Sequence, residues 1–210
     1  MKRKIRVALP SKGRIHSPSM EVAEKIGLRS IGSKRSYFME DIEGYFEFVL
    51  ARPFDIPLYV HYGAADMGIT GYDVIVEREV DVYELIDLGF GRCSLVVAIP
   101  EEVKIDSIKD FQGTPRVATE YPNITRKYFE SLGKPVEILT VDGAAELAPR
   151  LGLAEIIVDI SESGKTLREN RLKVIDKIFD STCRLICNRI SYRVFEKEIA
   201  EVVERVRRKQ

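Results

Sequence analysis

Residues 154–170 read AEIIVDISESGKTLREN, and this segment indicates the class of fold. Near its start, Ile156, Ile157 and Val158 form a run of β-branched residues that is typical of a buried strand. Residues 167–172 have the pattern of a helix start. Strands that pass through short loops into helices are the building units of α/β proteins, and their ligands gather at the carboxyl ends of the strands. The sequence therefore predicts an α/β fold with a ligand-binding loop between 159 and 167.

Ser163, Gly164, Lys165 and Thr166 resemble the end of an ATP-binding P-loop. That pattern needs a glycine five positions before the Gly of Gly-Lys-Thr, and Asp159 stands there, so a P-loop is excluded. Hydroxyl groups and a flexible backbone ahead of a helix nevertheless suit a phosphate group bound by backbone amides. Asp159, at the end of the strand, is placed to face a sugar hydroxyl or a metal ion.

The composition restricts the class of protein. The chain has 210 residues, of which 45% are hydrophobic and 31% charged, and this favours two small globular domains over one large domain. Lys plus Arg and Asp plus Glu balance at 33 each, so we expect binding to neither nucleic acid nor a membrane. The apolar segment 7–10 is too short for a signal peptide or a membrane span, which favours a cytoplasmic protein. Three cysteines without a CxxC pair predict buried free thiols.

Apolar runs alternate with amphipathic stretches along the whole chain. Ser17 and Pro18 predict a helix start after a first strand, and residues 143–151 predict a short helix. A final helix carries an apolar stripe and two ion pairs at helical spacing, Glu201 with Arg205 and Glu204 with Arg208. The stripe consists of Phe195, Ile199, Val202 and Val206. A break near residues 89–91 predicts one domain from 1–91 and 187–210, and a second domain, 92–186, that carries the loop.

Three further segments predict ligand contacts at strand ends. In PSKGRI, Lys12, Gly13 and Arg14 suit phosphate oxygens, or form a basic surface turn. In RPFDIP, Arg52 binds an anion or pairs with a nearby carboxylate. In GITGYD, Gly68 and Gly71 allow close approach of a ligand, and Asp73 is a ligand contact or only a helix cap.

Glu146 lies in DGAAELAP among small residues that leave room for a ligand. Its carboxylate suits a ribose, or a magnesium ion held by a diphosphate, unless it is an ordinary solvated helix residue. His16 and His61 have no metal-binding spacing and no nucleophilic partner, so we expect structural or surface roles for both.

Taken together, the motifs resemble one family from about residue 6 to residue 195. The segments ALPSKGR, ARPFDIP, GAADMGITGYDV, VATEYPN, GAAELAPRLGLAEIIVDISESGKTLREN and NRISYR resemble, in order, the signature segments of ATP phosphoribosyltransferase. The resemblance implies transfer of the phosphoribosyl group of 5-phosphoribosyl 1-diphosphate to N1 of ATP, with Mg²⁺ and release of pyrophosphate. This reaction is the first step of histidine biosynthesis. It also implies a two-domain type II periplasmic-binding-protein-like fold with the active site in the interdomain cleft.

The resemblance also implies roles for individual residues. The phosphoribosyl donor would be bound by Glu146, Asp159, Ser161, Ser163, Gly164, Lys165, Thr166 and Leu167. Of these, Asp159 and Glu146 would lie near the ribose or the metal. ATP would be bound by Lys12, Gly13, Arg14, Gly71 and Asp73. Arg52 and Arg35 would stabilise the departing pyrophosphate.

Longer members of the family carry a C-terminal histidine-binding domain, whereas this chain ends at Gln210. It therefore resembles the short form, which assembles with a regulatory subunit similar to histidyl-tRNA synthetase, and we also expect a homo-oligomer. Two other interpretations stay open on the sequence. One is a solute-binding module of the same fold, and the other is a salvage-type phosphoribosyltransferase, although Ile160 stands where that class usually has a second acidic residue.

Overall fold

The computed structural model describes residues 3–28, 38–40 and 44–208. The chain forms two compact units, Met1–Gly91 with Thr182–Gln210, and Arg92–Ser181. The predicted return to the first domain at residue 187 is wrong. The strand Cys183–Cys187 pairs with strands of the first unit, so residues 182–186 belong there.

The helices and strands alternate along the chain as an α/β sequence predicts. The strands are β1 (Ile5–Pro10), β2 (Phe38–Glu40), β3 (Phe46–Ala51), β4 (Met67–Gly71), β5 (Tyr83–Asp87), β6 (Cys93–Pro100), β7 (Arg116–Thr119), β8 (Glu137–Thr140), β9 (Ile156–Ser161), β10 (Leu172–Ser181) and β11 (Cys183–Cys187). The α-helices are α1 (His16–Ile26), α2 (Ile56–His61), α3 (Tyr72–Arg78), α4 (Pro122–Ser131), α5 (Lys165–Glu169), α6 (Arg189–Val194) and α7 (Glu196–Arg207). Short 3₁₀ turns cover Ile108–Asp110 and Ala145–Leu147.

The sheet of the first unit has the strand order β2-β3-β1-β4-β11-β5. Strands β3, β1 and β4 are parallel, so their carboxyl ends lie at one edge of the sheet. Strand β11 runs antiparallel to both β4 and β5. The predicted apolar stripe is confirmed, because Phe195, directly before α7, and the three stripe residues within α7 are buried in the core of this unit. Both predicted ion pairs form, Glu201 with Arg205 at 3.6 Å and Glu204 with Arg208 at 3.9 Å.

The sheet of the second unit has the strand order β10-β6-β9-β7-β8. Strands β8, β7 and β9 are parallel, while β6 is antiparallel to β9 and β10 is antiparallel to β6. Ile156, Ile157 and Val158 are completely buried, as the β-branched run predicts. The carboxyl ends of β8, β7 and β9 therefore share one edge of this sheet.

Three predicted helix positions need correction. Helix α1 begins at His16, one residue before the predicted cap at Ser17. The predicted helix over 143–151 is only a 3₁₀ turn, because Gly143 (φ 96°) and Ala144 (φ 53°) have left-handed backbone conformations that no helix contains. The helix predicted from Leu167 begins earlier, at Lys165, and ends at Glu169.

The NRISYR segment has a structural role in the first unit. The Asn188 side-chain oxygen accepts hydrogen bonds from the backbone N–H groups of Ile190 (2.9 Å) and Ser191 (3.0 Å), and so caps α6. Its amide nitrogen donates to the carbonyl oxygens of Val60 and His61. One buried side chain therefore fixes the end of α2 against the start of α6.

The three cysteines, Cys93, Cys183 and Cys187, are buried and unbridged, as predicted. Burial, with a smaller contribution from the Asp66 carboxylate, raises the pKa of Cys187 to about 12. This side chain is therefore a neutral thiol near pH 7 and not a nucleophile. Within the described ranges, no helix combines the length and the apolar character that a membrane crossing needs.

Candidate active site

The segment 161–167 of the second unit, named the loop between β9 and α5 below, runs from the last residue of β9 into the first turn of α5 and carries six of the eight predicted donor-binding residues. Ser163, Lys165 and Thr166 are exposed, and Ser161 is half-buried. Leu167 is the exception, because its side chain lies in the core cluster of this unit with Ala98 and Ile157. The side chain of Leu167 therefore anchors α5 in the core. Only the backbone of this residue can contact a ligand.

The conformation of this loop leaves hydrogen-bonding groups available. Gly164 has φ 69°, and a Cβ atom there would lie 2.9 Å from Nη1 of Arg168. The Ser163 hydroxyl accepts a long hydrogen bond, 3.4 Å, from the Lys165 amide. The hydroxyl groups of Ser161 and Thr166 have no hydrogen-bond partner within the described part of the chain. Amides in the first turn of a helix have no partner within it, so the loop presents both N–H and O–H donors.

Four carboxylates meet at the carboxyl edge of the same sheet. Glu120 follows β7, Asp142 follows β8, and Asp159 lies near the end of β9. Glu146 comes from the 3₁₀ turn after β8. The missing side chain of Gly143 makes room for Glu120, whose Oε1 lies 3.3 Å from the position that a Cβ would take.

The acidic side chains perturb one another. The pKa of Asp159 is raised to about 7, mainly by burial. The hydrogen bond donated by the Ile160 amide at 2.7 Å lowers this pKa, and the charges of Glu120 and Glu146 raise it. Burial, then the charges of Asp142 and Glu146, raise the pKa of Glu120. A carboxyl group with its pKa near neutrality holds or releases a proton under physiological conditions. Among the described residues, no group of three or more His, Cys, Asp or Glu side chains is arranged to hold a metal ion.

Glu120 is a site residue that sequence patterns do not predict. Its one local signal is its position directly after the apolar strand β7, and many solvated glutamates share that signal. The parallel pairing of β7 with β9 is what places it beside Asp159.

The predicted ATP-binding residues of the first unit also share one sheet edge. Lys12, Gly13 and Arg14 follow β1, Arg52 follows β3, and Gly71 ends β4. Two hydrogen bonds hold the three segments together. The Ser11 amide donates to the Ala51 carbonyl at 2.7 Å, and the Thr70 hydroxyl donates to the Pro53 carbonyl at 3.1 Å.

The cationic side chains at this edge differ in how they are engaged. Lys12 and Arg52 are exposed, and the side chain of neither has an ion-pair or hydrogen-bond partner among the residues that the structure describes. The alternative that Arg52 pairs with a carboxylate is therefore not seen there. Arg14 donates from Nη1 to the Gly91 carbonyl oxygen at 2.6 Å. Part of its guanidinium therefore stabilises residue 91, where the chain leaves the first unit. Arg35, the remaining predicted catalytic residue, lies outside the described residues.

The two glycines of GITGYD have different functions. A Cβ atom on Gly68 would lie 2.6 Å from Cγ2 of Ile56, so Gly68 lets α2 pack on β4 and not a ligand approach. At Gly71 a Cβ would clash with the carboxylate of Asp73, which is buried in the first turn of α3. Gly71 and Asp73 therefore form one compact turn at the sheet edge.

Comparison with known proteins identifies the family. The sequence profile of ATP phosphoribosyltransferase matches residues 52–208. The chain belongs to the ATP phosphoribosyltransferase family. An ATP phosphoribosyltransferase of Methanocaldococcus jannaschii is 50% identical over 195 residues, covering 92% of this chain and 68% of that protein. One of Caldanaerobacter subterraneus is 43% identical over 206 residues, covering 97% of this chain and 96% of that protein.

Solved structures agree with this assignment. A chain of the ATP phosphoribosyl transferase (HisG:HisZ) complex from Thermotoga maritima is 33% identical, with a TM-score of 0.86, and the match covers 97% of each chain. The periplasmic aliphatic sulphonate binding protein of Escherichia coli shares the fold alone, with 13% identity and a TM-score of 0.63. The predicted type II periplasmic-binding-protein-like fold is thus confirmed. ATP phosphoribosyltransferases carry out the first step of histidine biosynthesis, and family membership favours this phosphoribosyl transfer over solute binding or salvage chemistry.

Proposed function

We propose that the loop between β9 and α5 binds the 5-phosphate of the phosphoribosyl donor. Ser161, Ser163 and Thr166 supply hydroxyl groups, the backbone of Gly164 and its neighbours supplies amides, and Lys165 supplies a positive charge. Phosphate oxygens accept hydrogen bonds from such donors, and charge-assisted bonds are the strongest of them. The observation that carries the proposal is the group of hydroxyls on Ser161, Ser163 and Thr166 around a left-handed glycine, of which those of Ser161 and Thr166 have no hydrogen-bond partner among the described residues.

Asp159 and Glu146 are assigned to the ribose of the donor. Ribose hydroxyl groups donate hydrogen bonds, and carboxylates accept them. Both side chains lie at the sheet edge from which the phosphate loop departs. A sugar that loses its diphosphate develops positive charge at C1, which nearby carboxylates stabilise.

Magnesium is assigned to the donor and not to the protein. A diphosphate binds Mg²⁺ through its own oxygens, and Mg²⁺ keeps several water ligands. The ion therefore arrives as part of the substrate and neutralises charge on the leaving group.

The edge of the first unit is assigned to ATP and pyrophosphate. Lys12, Gly13 and Arg14 follow one strand, while Gly71 and Asp73 form the turn after its neighbour. An arginine carries five N–H donors, and one donor of Arg14 is bonded to the Gly91 carbonyl oxygen. Arg52, whose exposed side chain has no ion-pair partner within the described part of the chain, is assigned to stabilise the departing pyrophosphate, and Arg35 has the same assignment from the family resemblance.

The chemistry needs no general base. N1 of adenine attacks C1 of the ribose with its own lone pair, the C1–N1 bond forms, and the bond from C1 to the pyrophosphate oxygen breaks. The two histidines have structural contacts instead, since Nδ1 of His16 lies 2.6 Å from the Pro10 carbonyl oxygen and Nδ1 of His61 lies 3.2 Å from that of Asp81.

We also propose a regulatory partner. The solved relative from Thermotoga maritima is a HisG:HisZ complex, and this chain covers 97% of the matched chain there. A subunit of the same kind, similar to histidyl-tRNA synthetase, would form a hetero-oligomer with this chain and bring sensitivity to histidine. We assign the assembly to the cytoplasm, where ATP is available.

The decisive experiment measures pyrophosphate release by the purified chain with ATP, the phosphoribosyl donor and Mg²⁺. It is run with and without the regulatory subunit, and with histidine added. We expect product that contains the adenine ring joined at N1 to the ribose, and a raised KM for the donor in Thr166→Ala. Binding of a small solute without pyrophosphate release in every combination would favour the solute-binding interpretation.

A further inference from the structure

Arg184 of β11 has more partners than its place in the sheet requires. Nε lies 3.2 Å from Oε2 of Glu84, and Nη1 lies 2.7 Å from Oδ1 of Asp87. Nη1 also donates to the hydroxyl of Thr182. The guanidinium carbon lies 5.1 Å from the centroid of the Tyr72 ring. The side chain is only 18% exposed, so these contacts occupy most of its surface.

The sheet does not need these contacts to set its register. Backbone pairing already places Arg184 opposite Thr70 on one side and opposite Asp87 on the other. The side-chain contacts therefore serve something other than the pairing of β11 with β4 and β5.

Those contacts meet at the turn that follows β4. Tyr72 is the residue between Gly71 and Asp73, and its amide donates to the Thr182 carbonyl at 3.0 Å. The segment 182–184 thus holds Tyr72 twice, by the backbone at Thr182 and by the guanidinium of Arg184 over the ring. Glycine in this turn gives no side-chain support of its own, so external contacts decide its conformation.

Asp87 connects the same cluster to the neighbouring chain segment. Its Oδ1 accepts hydrogen bonds from the Thr182 hydroxyl at 2.8 Å and from the Gly89 amide at 2.9 Å. A planar guanidinium can satisfy several acceptors in fixed directions while it stacks on a ring, which a lysine ammonium cannot. The geometry therefore calls specifically for arginine at position 184.

We infer that Arg184 is a positioning residue for the acceptor substrate: through Tyr72 it fixes the Gly71–Asp73 turn in the conformation that binds ATP. The inference rests on the assignment of this turn to ATP. It predicts an effect on ATP that the phosphoribosyl donor, bound in the second unit, does not share.

Arg189 provides a matched control. It also pairs with an aspartate, Asp81 at 2.8 Å, and stacks on an aromatic ring, Tyr83 at 4.8 Å. Tyr83 is the first residue of β5 and Asp87 is the last. The ring contact of Arg189 therefore lies at the opposite end of β5 from the ion pair between Arg184 and Asp87.

The test compares Arg184→Lys with Arg189→Lys in the pyrophosphate-release assay, with the regulatory subunit present. We expect Arg184→Lys to raise KM for ATP about tenfold while KM for the donor changes less than twofold, and Arg189→Lys to change neither. Equal rises in both KM values, an unchanged KM for ATP, or the same effect in Arg189→Lys would overturn the inference. Failure of the wild type to release pyrophosphate would instead count against the proposed function.

A second pair of variants keeps the test valid if Arg184→Lys folds poorly. Tyr72→Phe retains the ring under Arg184, and Tyr72→Leu removes it. We expect a clearly higher KM for ATP in Tyr72→Leu than in Tyr72→Phe, at closely similar melting temperatures. Equal KM values for the two variants would show that the stacking contact has no part in ATP binding.

Discussion

Glu120 and Asp159 lie one residue beyond Thr119 and Val158, which are ladder partners in the parallel pair formed by β7 and β9. Strand register thus brings together two carboxylates that are far apart in sequence. The charge of Glu120 contributes to the raised pKa of Asp159. Because that pKa is about 7, the carboxyl group connects the geometry of the donor site with measurable effects of pH.

We predict that Asp159→Asn stabilises the protein in a pH-dependent way. The ordinary pKa of Asp159 is 3.8 and the folded value is about 7, so the folded protein retains a proton that the unfolded chain releases between these values. The free energy of unfolding therefore falls as pH rises through this window. The variant should be more stable than wild type by about 1–3 kcal/mol at pH 8 and equal to it near pH 4.

Both effects are measured as the free energy of unfolding in denaturation experiments at several pH values. Glu155 is the control, because the pH dependence of its contribution to stability has the opposite sign. Its hydrogen bond with Arg116 lowers its pKa, so its stabilising effect is present at neutral pH and is lost as pH falls. Glu155→Gln should therefore destabilise the protein at pH 7, and this loss should shrink as pH falls through the lowered pKa of Glu155. A pH-independent difference between wild type and Asp159→Asn would contradict the assigned environment of Asp159.

We predict that Gly164→Val impairs donor binding because the new side chain would disturb the loop between β9 and α5 itself. Gly164 and Gly113 both have φ 69°, but only at Gly164 would a side chain meet a neighbour, Nη1 of Arg168. Each valine variant should lose about 1–2 kcal/mol of stability from backbone strain. Only Gly164→Val should raise KM for the donor, by about tenfold or more. A comparable rise in Gly113→Val would mean that general destabilisation, and not the loop, is responsible.

Arg52→Ala should lower kcat about 100-fold while changing KM for the donor less than threefold. A group that acts on the leaving pyrophosphate is needed mainly in the transition state, and removal of one such contact costs about 3 kcal/mol. Arg207→Ala serves as the control, because Arg207 is an exposed arginine on α7 outside the proposed site. A loss of affinity with unchanged kcat would remove Arg52 from this role.

Asn188→Ala tests the view that the NRISYR segment is structural. The change removes the cap of α6 and two hydrogen bonds to the end of α2, so we expect a loss of about 2–4 kcal/mol in the free energy of unfolding. Both KM values should stay within twofold of wild type at a temperature where the variant is folded. A large change in either KM at unchanged stability would place Asn188 in the active site.

Parts of this arrangement follow from local sequence. The run 156–158 predicts the buried strand, and the Ser-Gly-Lys-Thr segment after it predicts a loop with hydroxyls and a flexible backbone. The spacing of Ile199, Val202 and Val206 predicts the buried face of α7. Each of these depends on neighbours within one strand or helix, which a single sequence displays directly.

Other parts depend on contacts between distant segments. Glu120 reaches Asp159 only through the register of two parallel strands, and β11 belongs to the first unit only because of its ladders with β4 and β5. Gly68 was predicted to face a ligand, but the residue against it is Ile56. Sequence spacing carries no information about such partners, so these features become visible only in the folded chain.

Every assignment above depends on binding of the donor phosphate by the loop between β9 and α5. To test this binding, the phosphoribosyl donor is titrated with Mg²⁺ into isotope-labelled protein and the backbone amide resonances are followed. We expect the largest saturable shifts at the amides of residues 161–167, and a weaker affinity in the titration of Thr166→Ala. Saturable binding whose shifts avoid residues 161–167 would contradict it.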